Sequence, residues 1–333
     1  HSGDYEAGAY ESKSSPYHSF FQFHDDSDQA WPYNRTYDGW WGHDTLPKLN
    51  YENSEKLVEY ILNVARKWVS PPYSIDGWRL DVAADLGHTA EYNHEFWRRF
   101  RQAVKEANPE ALILAEHYGD PASWLEGDQW DSIMNYDAFM EPVTWFLTGM
   151  EKHSDSYNGG IWGDGEAFFN AMGYHMSRMQ TNTVMTAMNQ LSNHDHSRFL
   201  TRTNQMVGRI QTAGPEKAGH NIKPCVFREA VVIQMTWPGA PTLYYGDEAG
   251  VCGWTDPDSR RTYPWGKEDL ELIEFHRYMT GIHRKIPVFR KGAVKPLLAG
   301  YQKIAYGRMY GKYQAVAVIS NSPDSQTMDI PVW

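Results

Sequence analysis

Residues 75–81 form the stretch Ile75-Asp76-Gly77-Trp78-Arg79-Leu80-Asp81, an apolar run that ends in a carboxylate. Two later apolar runs end in the same way, at Glu116 and at Asp195. Runs of this length, separated by segments with helical periodicity, are typical of buried parallel strands. Parallel strands deliver their carboxyl ends to one rim, which is where an α/β barrel places its functional groups. The three acidic side chains are therefore predicted to lie at such a rim.

Extended and helical patterns alternate through the middle of the chain. Strands are predicted at residues 75–82, 111–116, 131–136, 187–194 and 241–245, and helices at about 91–107 and at 224–236. Strands that alternate with helices indicate right-handed crossovers and a parallel sheet. The pattern predicts an α/β fold, a (β/α)8 barrel followed by a small antiparallel β domain. Because a barrel of this kind has eight strands, we expect the barrel to be truncated here, with the first three strands preceding His1.

Three regions are predicted along the chain. Residues 1–45 lack a sustained period, and long irregular segments inside compact domains are usually functional; we expect a remnant of an inserted loop subdomain on the barrel rim. Residues 46–292 are predicted to form the C-terminal part of the (β/α)8 catalytic barrel. Residues 293–333 show extended runs separated by Gly and polar turns, which indicates antiparallel hairpins and the start of a C-terminal β-sandwich domain.

The composition limits the classes of partner and compartment. The formal net charge of -11 argues against nucleic acid, since a nucleic-acid binder needs clustered Lys and Arg. No apolar run approaches the roughly 18 residues of a membrane span, so no membrane partner is predicted. Cys225 and Cys252 are the only cysteines, which favours a reducing cytoplasm and leaves secretion open. The oligomeric state stays open.

The acidic residues suggest a division of chemical roles. Side chains alternate along a strand, so Arg79 and Asp81 share one face, and the guanidinium favours an ionised Asp81. Glu116, in a partly dry site near other carboxylates, is predicted to be protonated. Two carboxyl groups in opposed protonation states are what glycoside hydrolysis requires. The alternative is that Asp81 and Arg79 form only a buried ion pair and that Glu116 faces solvent.

The aromatic content points to the same class of ligand. The chain has 14 Trp and 21 Tyr, and many of them lie in polar, Gly-rich stretches. Flat amphipathic rings beside polar groups suit sugars, which offer an apolar face and a hydroxyl edge. Trp254 and Trp265 follow the last predicted barrel strand, and stacking on sugars and packing under the loop are both open for them.

The motifs resemble those of the alpha-amylase family of retaining glycoside hydrolases. Residues 77–83, 115–120 and 192–195 resemble its second, third and fourth conserved regions. The start of the chain, His1-Ser2-Gly3-Asp4, is similar to the end of the first region. Residues 46–50, Leu46-Pro47-Lys48-Leu49-Asn50, are similar to the fifth region of the maltodextrin glucosidases and neopullulanase-like enzymes, to which the resemblance is strongest.

The resemblance implies hydrolysis of α-1,4-glucosidic bonds in maltodextrins by double displacement, with an α-glucan oligosaccharide as substrate. It implies Asp81 as nucleophile, Glu116 as acid/base and Asp195 as the carboxylate that grips the sugar hydroxyls. The sugar-binding residues that it implies are Arg79, His194, His1, His117 and Arg260. No catalytic metal and no required cofactor are expected, and a structural calcium ion stays open.

Several other functions stay open or are disfavoured by the sequence. Neopullulanase, cyclomaltodextrinase, α-1,6-glucosidase and transglycosylase specificities stay open. Lys48 argues against a strict α-1,6 enzyme, because the similar motif of those enzymes usually has Asp at this position. A non-enzymatic, amylase-like binding protein is disfavoured because all three carboxylates are present. The His residues near Asp44, Asp120 and Asp195 lack the spacing of a metal site.

Overall fold

The computed structural model describes residues 7–332, which divide into two compact units. The first unit consists of residues 7–117 together with Ser123–Asp131, and the second consists of Tyr118–Ala122 and the chain from Ser132 onward. His1 and the rest of residues 1–6 lie outside the described part.

The first unit begins with a segment built from turns. Between residues 7 and 54 it contains the 3-10 helices His18–Phe20, Asp28–Ala30 and Trp40–Gly42. Isolated antiparallel bridges join Phe21 to Leu49, Phe23 to Tyr37 and Gly39 to Pro47. The lack of a sustained period in the sequence agrees with this irregular structure. Its assignment as the remnant of a subdomain stays a prediction, as do the three region boundaries.

Two helix and strand pairs follow in the first unit. They are α1 Glu55–Val69, β1 Gly77–Leu80, α2 Ala90–Ala107 and β2 Leu112–Ala115. The Ser54 side chain accepts a hydrogen bond from the Leu57 amide at the start of α1, which satisfies one of the amides that a helix leaves unpaired. On α2 the side chains of Phe96, Phe100 and Val104 are buried as the helical spacing predicts.

Strands β1 and β2 pair in parallel, with Gly77 opposite Leu112 and Arg79 opposite Leu114. A Cβ atom on Gly77 would lie 2.1 Å from the Leu112 carbonyl oxygen, so this close approach requires glycine. The predicted range 75–82 was too long, because Val82 has a φ of 44° and cannot continue an extended strand.

Among the described residues of the second unit, three short strands and eight α-helices precede residue 293. In chain order they are β3 Ser132–Ile133, α3 Glu141–Thr148, α4 Gly165–Met176, α5 Thr181–Thr186, β4 Met188–Gln190, α6 Phe199–Arg202, α7 Ile210–Ala213, α8 Pro224–Thr236, β5 Ala240–Thr242, α9 Leu270–Lys285 and α10 Pro287–Lys291. A π-helical turn at Tyr136–Met140 precedes α3. Strands β4 and β5 pair in parallel, and helix α8 has the predicted bounds.

The predicted strand ranges were too long here as well. The predicted strand at 187–194 is only β4 Met188–Gln190, because the side-chain oxygen of Asn193 accepts the amides of Asp195 and His196 and turns the chain. The predicted strand at 241–245 is β5 Ala240–Thr242 and ends before the turn in which the Asp247 amide donates to the Tyr244 carbonyl. Polar side chains and turns near the strand ends therefore shorten both elements.

The chain continues into an antiparallel sheet of β6 Ala293–Gly300, β7 Lys303–Tyr310 and β8 Tyr313–Ser320. This confirms the antiparallel pattern predicted from residue 293. Arg308 on β7 is buried and donates to the carbonyls of Phe289 and Gly292, at 3.2 and 2.7 Å. The Tyr306 hydroxyl lies 2.6 Å from the Thr236 hydroxyl at the end of α8. These contacts fasten the sheet to the helices of the same unit.

No helix in residues 7–332 combines the length and the apolar character that a membrane crossing needs.

Candidate active site

Two of the three predicted catalytic carboxylates lie in the first unit, at the ends of paired strands. Asp81 follows β1 and Glu116 follows β2, and the Glu116 amide donates to the Leu80 carbonyl at 2.8 Å. The parallel register thereby brings the two acidic residues to the same edge of the β1–β2 pair. This arrangement follows from the pairing of the strands and not from proximity in sequence.

Arg79 contacts both of these carboxylates. Its Nη1 forms an ion pair with Asp81, and its Nη2 lies 3.1 Å from Oε2 of Glu116. The Val82 amide donates to the same Glu116 oxygen at 3.1 Å. Charge-assisted contacts of this kind are short and directional. One guanidinium and one backbone amide therefore fix the positions of the two carboxylates.

The two carboxylates differ in exposure. The Asp81 side chain is 76% exposed, whereas that of Glu116 is 9% exposed. The ion pair of Asp81 with Arg79 that the alternative interpretation expected is present, but it is not buried, and Glu116 does not face solvent. The arrangement places one accessible carboxyl group beside one that is largely removed from water, and both contact Arg79. The opposed protonation states of the two groups stay a prediction.

The backbone at Val82 has an unusual conformation. Its φ of 44° and ψ of 44° lie in the left-handed region, where a β-branched residue is an outlier. Such strain persists where surrounding contacts enforce it, and it is concentrated at functional sites. Here it accompanies the hydrogen bond from the Val82 amide to Glu116. The sequence pattern, which extended the strand through residue 82, gave no sign of this turn.

The second unit brings together Asp195, His194 and Arg260. Oδ2 of Asp195 lies 3.4 Å from Nε2 of His194, and Oδ1 lies 3.7 Å from Nη2 of Arg260. Arg260 is also paired with Asp256, at 2.6 Å from its Nε. All three predicted residues are partly exposed, so they can present a carboxylate and two nitrogen donors to a polyhydroxylated ligand.

Hydrogen bonds from neighbouring side chains hold this cluster in place. The Thr255 hydroxyl donates to the Asp195 carbonyl, and the Ser259 hydroxyl donates to the His194 carbonyl at 2.8 Å. Arg198 is fully buried and donates to the Ser259 carbonyl and to Asp247 Oδ1, both at 2.9 Å. The sequence indicated Asp195 and Arg260 but not these supports, because a buried ion pair between distant residues leaves no local pattern.

A second feature that the sequence did not indicate is the contact of Tyr118 with His196. The Tyr118 ring stacks on the buried Tyr136 ring at 4.2 Å, and its hydroxyl lies 3.0 Å from Nε2 of His196. Burial lowers the pKa of His196 to about 2, so this imidazole stays neutral. Lys152 lies 5.5 Å from the centre of the Tyr118 ring. Tyr118, Tyr136 and His196 thus form an aromatic cluster in the second unit.

The remaining residues that the sequence suggested for sugar binding differ in their surroundings and exposure. His117 is half-buried, and its ring lies 6.3 Å from that of Trp124 and 5.6 Å from that of Trp130. Its sugar-binding role stays a prediction. His1 lies outside the described residues. Trp254 is fully buried, which favours the packing role for it, whereas Trp265 is 81% exposed.

Groups of three or more His, Cys, Asp or Glu side chains that could hold a metal ion are absent from residues 7–332. A structural calcium ion stays a question for binding measurements.

Comparison with known proteins identifies the family of the chain. Residues 2–285 match the family described as alpha amylase, catalytic domain. The chain belongs to the alpha-amylase family. It is 36% identical to Neopullulanase 2 of Thermoactinomyces vulgaris over 291 residues, 86% of this chain and 43% of that protein. It is 34% identical to a cyclomaltodextrinase of Thermoanaerobacter pseudethanolicus over 285 residues, 85% of this chain and 43% of that protein. The chain thus spans less than half the length of these curated relatives.

Solved structures of a debranching enzyme and of a cyclomaltodextrinase resemble the fold of this chain. The debranching enzyme from Nostoc punctiforme matches with a TM-score of 0.78 at 29% identity, covering 97% of this chain and 63% of that one. A cyclomaltodextrinase matches with a TM-score of 0.77 at 31% identity, covering 96% of this chain and 49% of that one. The predicted fold class, a (β/α)8 barrel followed by an antiparallel β region, and the predicted alpha-amylase family are therefore confirmed.

Proposed function

We propose that the protein is a retaining glycoside hydrolase that cleaves α-1,4-glucosidic bonds in maltodextrins by double displacement. The observation that supports this most directly is the contact of Arg79 with both the exposed Asp81 and the buried Glu116. An accessible carboxylate beside a carboxyl group removed from water is the pair that this chemistry uses.

In the first step the Asp81 carboxylate attacks the anomeric carbon of the bound glucosyl unit. The bond between that carbon and the glucosidic oxygen breaks, and the Glu116 carboxyl group gives its proton to the departing oxygen. The products are a glucosyl ester on Asp81, an ionised Glu116 and a shortened glucan. Arg79 keeps both groups in position throughout the step.

In the second step a water molecule attacks the anomeric carbon of the ester. The Glu116 carboxylate takes a proton from this water, and the bond to Asp81 breaks, which restores the initial state of both carboxyl groups. Two inversions leave the anomeric configuration unchanged. From the family resemblance we further propose that Asp195, with His194 and Arg260 beside it, binds sugar hydroxyls of the substrate.

The choice of α-1,4 bonds is the finer part of the proposal. It rests on the family and on Lys48 in the motif at residues 46–50, which differs from the pattern of strict α-1,6 enzymes. Relatives named neopullulanase and cyclomaltodextrinase keep pullulan and cyclodextrins as second candidate substrates. An α-1,6-glucosidase and a transglycosylase are further candidates. Digestion of maltoheptaose, cyclodextrin, pullulan and isomaltose by the full-length protein distinguishes these substrates.

The mechanism is tested by the stereochemistry of the first product. Proton NMR during cleavage of maltotriose by the full-length protein should show the α-anomer of the new reducing end before mutarotation. An initial β-anomer would overturn the double-displacement mechanism. Asp81→Asn should lower turnover at least about a thousandfold, whereas Asp76→Asn, an exposed position on the segment that leads into β1, should leave it unchanged.

A further inference from the structure

The turn at residues 39–47, here called the Trp41 turn, presents a large aromatic ring to solvent. Trp41 is 76% exposed. A single exposed aromatic residue is ordinary on a protein surface. Trp41 differs from an ordinary exposed aromatic residue in the contacts that hold its ring.

The Trp41 ring is fixed on one face and at its polar atom. It stacks on the Trp40 ring with centroids 4.7 Å apart and planes 12° from parallel. Its indole Nε1 donates to Oδ2 of Asp85 at 2.6 Å. Asp85 also lies 3.9 Å from the Lys48 ammonium, which is largely buried. An indole held in this way has one face against its neighbour and little freedom to rotate.

The backbone of the Trp41 turn is equally constrained. The Trp40 amide donates to the Leu46 carbonyl at 2.8 Å, and the Leu46 amide donates to the His43 carbonyl at 3.1 Å. A Cβ atom on Gly39 would lie 2.2 Å from the His43 carbonyl oxygen, so the turn closes only with glycine there. Trp41 itself has a φ of 50°, a strained value for a bulky residue that the surrounding contacts enforce.

The anchor of the indole belongs to the segment that carries Asp81. Asp85 ends the 3-10 turn Ala83–Asp85, four residues after Asp81. This turn is fixed in its own place, because Nε1 of the buried Trp97 donates to the Ala83 carbonyl at 2.7 Å. The exposed ring is therefore held by the loop that follows the proposed nucleophile, within the same unit.

We propose that Trp41 is a stacking site for one glucose ring of the α-glucan, outside the bond that is cleaved. The exposed indole face matches the apolar face of an uncharged pyranose. Because the ring is fixed before the sugar arrives, little conformational freedom is lost on binding. The inference rests on the proposed function for the identity of the ligand, and it adds a residue that sets affinity for longer chains.

Binding is measured separately from turnover to test this inference. Maltoheptaose is titrated calorimetrically into the full-length protein carrying Asp81→Asn, so that the sugar is not consumed. Addition of Trp41→Ala should weaken binding roughly tenfold, as for the loss of a well-placed aromatic anchor. Trp41→Phe retains a stacking ring and should weaken binding less than about threefold. Trp68→Ala removes a half-exposed tryptophan from α1 and serves as the matched control, with no change expected.

The role of Asp85 is tested as that of a positioning residue. Asp85→Ala removes the acceptor of the indole and should weaken maltoheptaose binding and reduce the near-ultraviolet circular dichroism of the stacked tryptophans. Asp85→Asn keeps a carbonyl acceptor and should restore both. A merely structural role would lower thermal stability without a selective change in sugar affinity.

The outcomes separate this inference from the proposed function. If the wild type hydrolyses maltodextrins and Trp41→Ala binds maltoheptaose as tightly as its parent, the stacking site is wrong and the hydrolase stands. If the wild type fails to hydrolyse any α-glucan and binding still depends on Trp41, the proposed activity is wrong and the stacking site stands.

Discussion

The backbone amide of Val82 donates a hydrogen bond to Oε2 of Glu116 at 3.1 Å. Val82 directly follows Asp81, so the segment that carries one proposed catalytic carboxylate also holds the other. Arg79, on the strand that precedes Asp81, also links the two residues, since its guanidinium contacts both Asp81 and Glu116. The relative placement of the two carboxyl groups therefore depends on Arg79 and Val82 at the end of one strand. Substitutions there should lower activity before they lower stability.

Arg79→Lys should lower kcat/KM for maltotriose about a hundredfold. A lysine ammonium is a single point charge and cannot reproduce the two-sided contact of a guanidinium, and small misplacements of catalytic groups have effects of this size. Steady-state kinetics check the prediction, with Arg66→Lys on α1, where the guanidinium contacts Asn63, as the matched control. Wild-type kcat/KM in Arg79→Lys would contradict the positioning role.

Glu116→Gln should affect substrates according to their need for a proton. Cleavage of maltotriose should slow by roughly 10² to 10⁴-fold, the usual contribution of a general acid. Release of fluoride from α-maltosyl fluoride needs little protonation, so its first step should retain most of its rate. Glu110→Gln, at an exposed position before β2, is the control. Equal slowing of both substrates would rule out Glu116 as the acid.

Asp247→Ala should lower the free energy of unfolding by about 3 to 5 kcal/mol, because it leaves the fully buried Arg198 without its carboxylate. Asp155→Ala breaks the ion pair with Arg209, in which both side chains are more than 40% exposed. This substitution should change the free energy of unfolding by less than about 1 kcal/mol. Urea denaturation of the variants measures both values. Similar effects for the two substitutions would show that burial of the pair does not matter.

Glu229 should make stability depend on pH. Burial raises the pKa of Glu229 from 4.5 to about 8, and its Oε2 has no hydrogen-bond partner among residues 7–332. Between these two values the folded state keeps a proton that the unfolded state has lost. The contribution of this group therefore declines as pH rises from about 4.5 to 8, by at most about 1.4 kcal/mol per unit.

The variant Glu229→Gln tests this assignment. It should be close to the wild type in stability at pH 4.5 and more stable at pH 8.5, as measured by urea denaturation at both values. Glu271→Gln, whose side chain is 87% exposed, should show no such gain. A Glu229→Gln variant that gains nothing at pH 8.5 would refute the assignment.

The parts of the fold that follow from local pattern were predictable. The apolar runs before Asp81, Glu116 and Asp195 indicated the strands, and the bounds of α8 were predicted without error. Strand ends were less accurate, because turns such as the one at Val82 arise from tertiary contacts that override the extended pattern. Asp81 and Glu116 could be expected at one edge because parallel pairing follows from alternating elements.

Contacts between residues that are distant in sequence were not predictable. The contact of Arg79 with Glu116, the pair of Arg198 with Asp247 and the bond from Trp41 to Asp85 each join separate segments. The spacing of residues along the sequence does not indicate these contacts. Trp41 in particular lies in a stretch without periodicity, and only the structure distinguishes a fixed, exposed ring from a loop residue.

Covalent trapping tests the central assignment, in which Asp81 forms a bond to the sugar. A fluorinated α-maltosyl fluoride has a good leaving group and a slow second step, so a glycosyl ester should accumulate on the full-length enzyme. Peptide mass spectrometry should then find one sugar adduct on the peptide that contains Asp81, absent from Asp81→Asn and present in Asp76→Asn. An adduct on another residue, or inactivation without any adduct, would contradict the proposed mechanism.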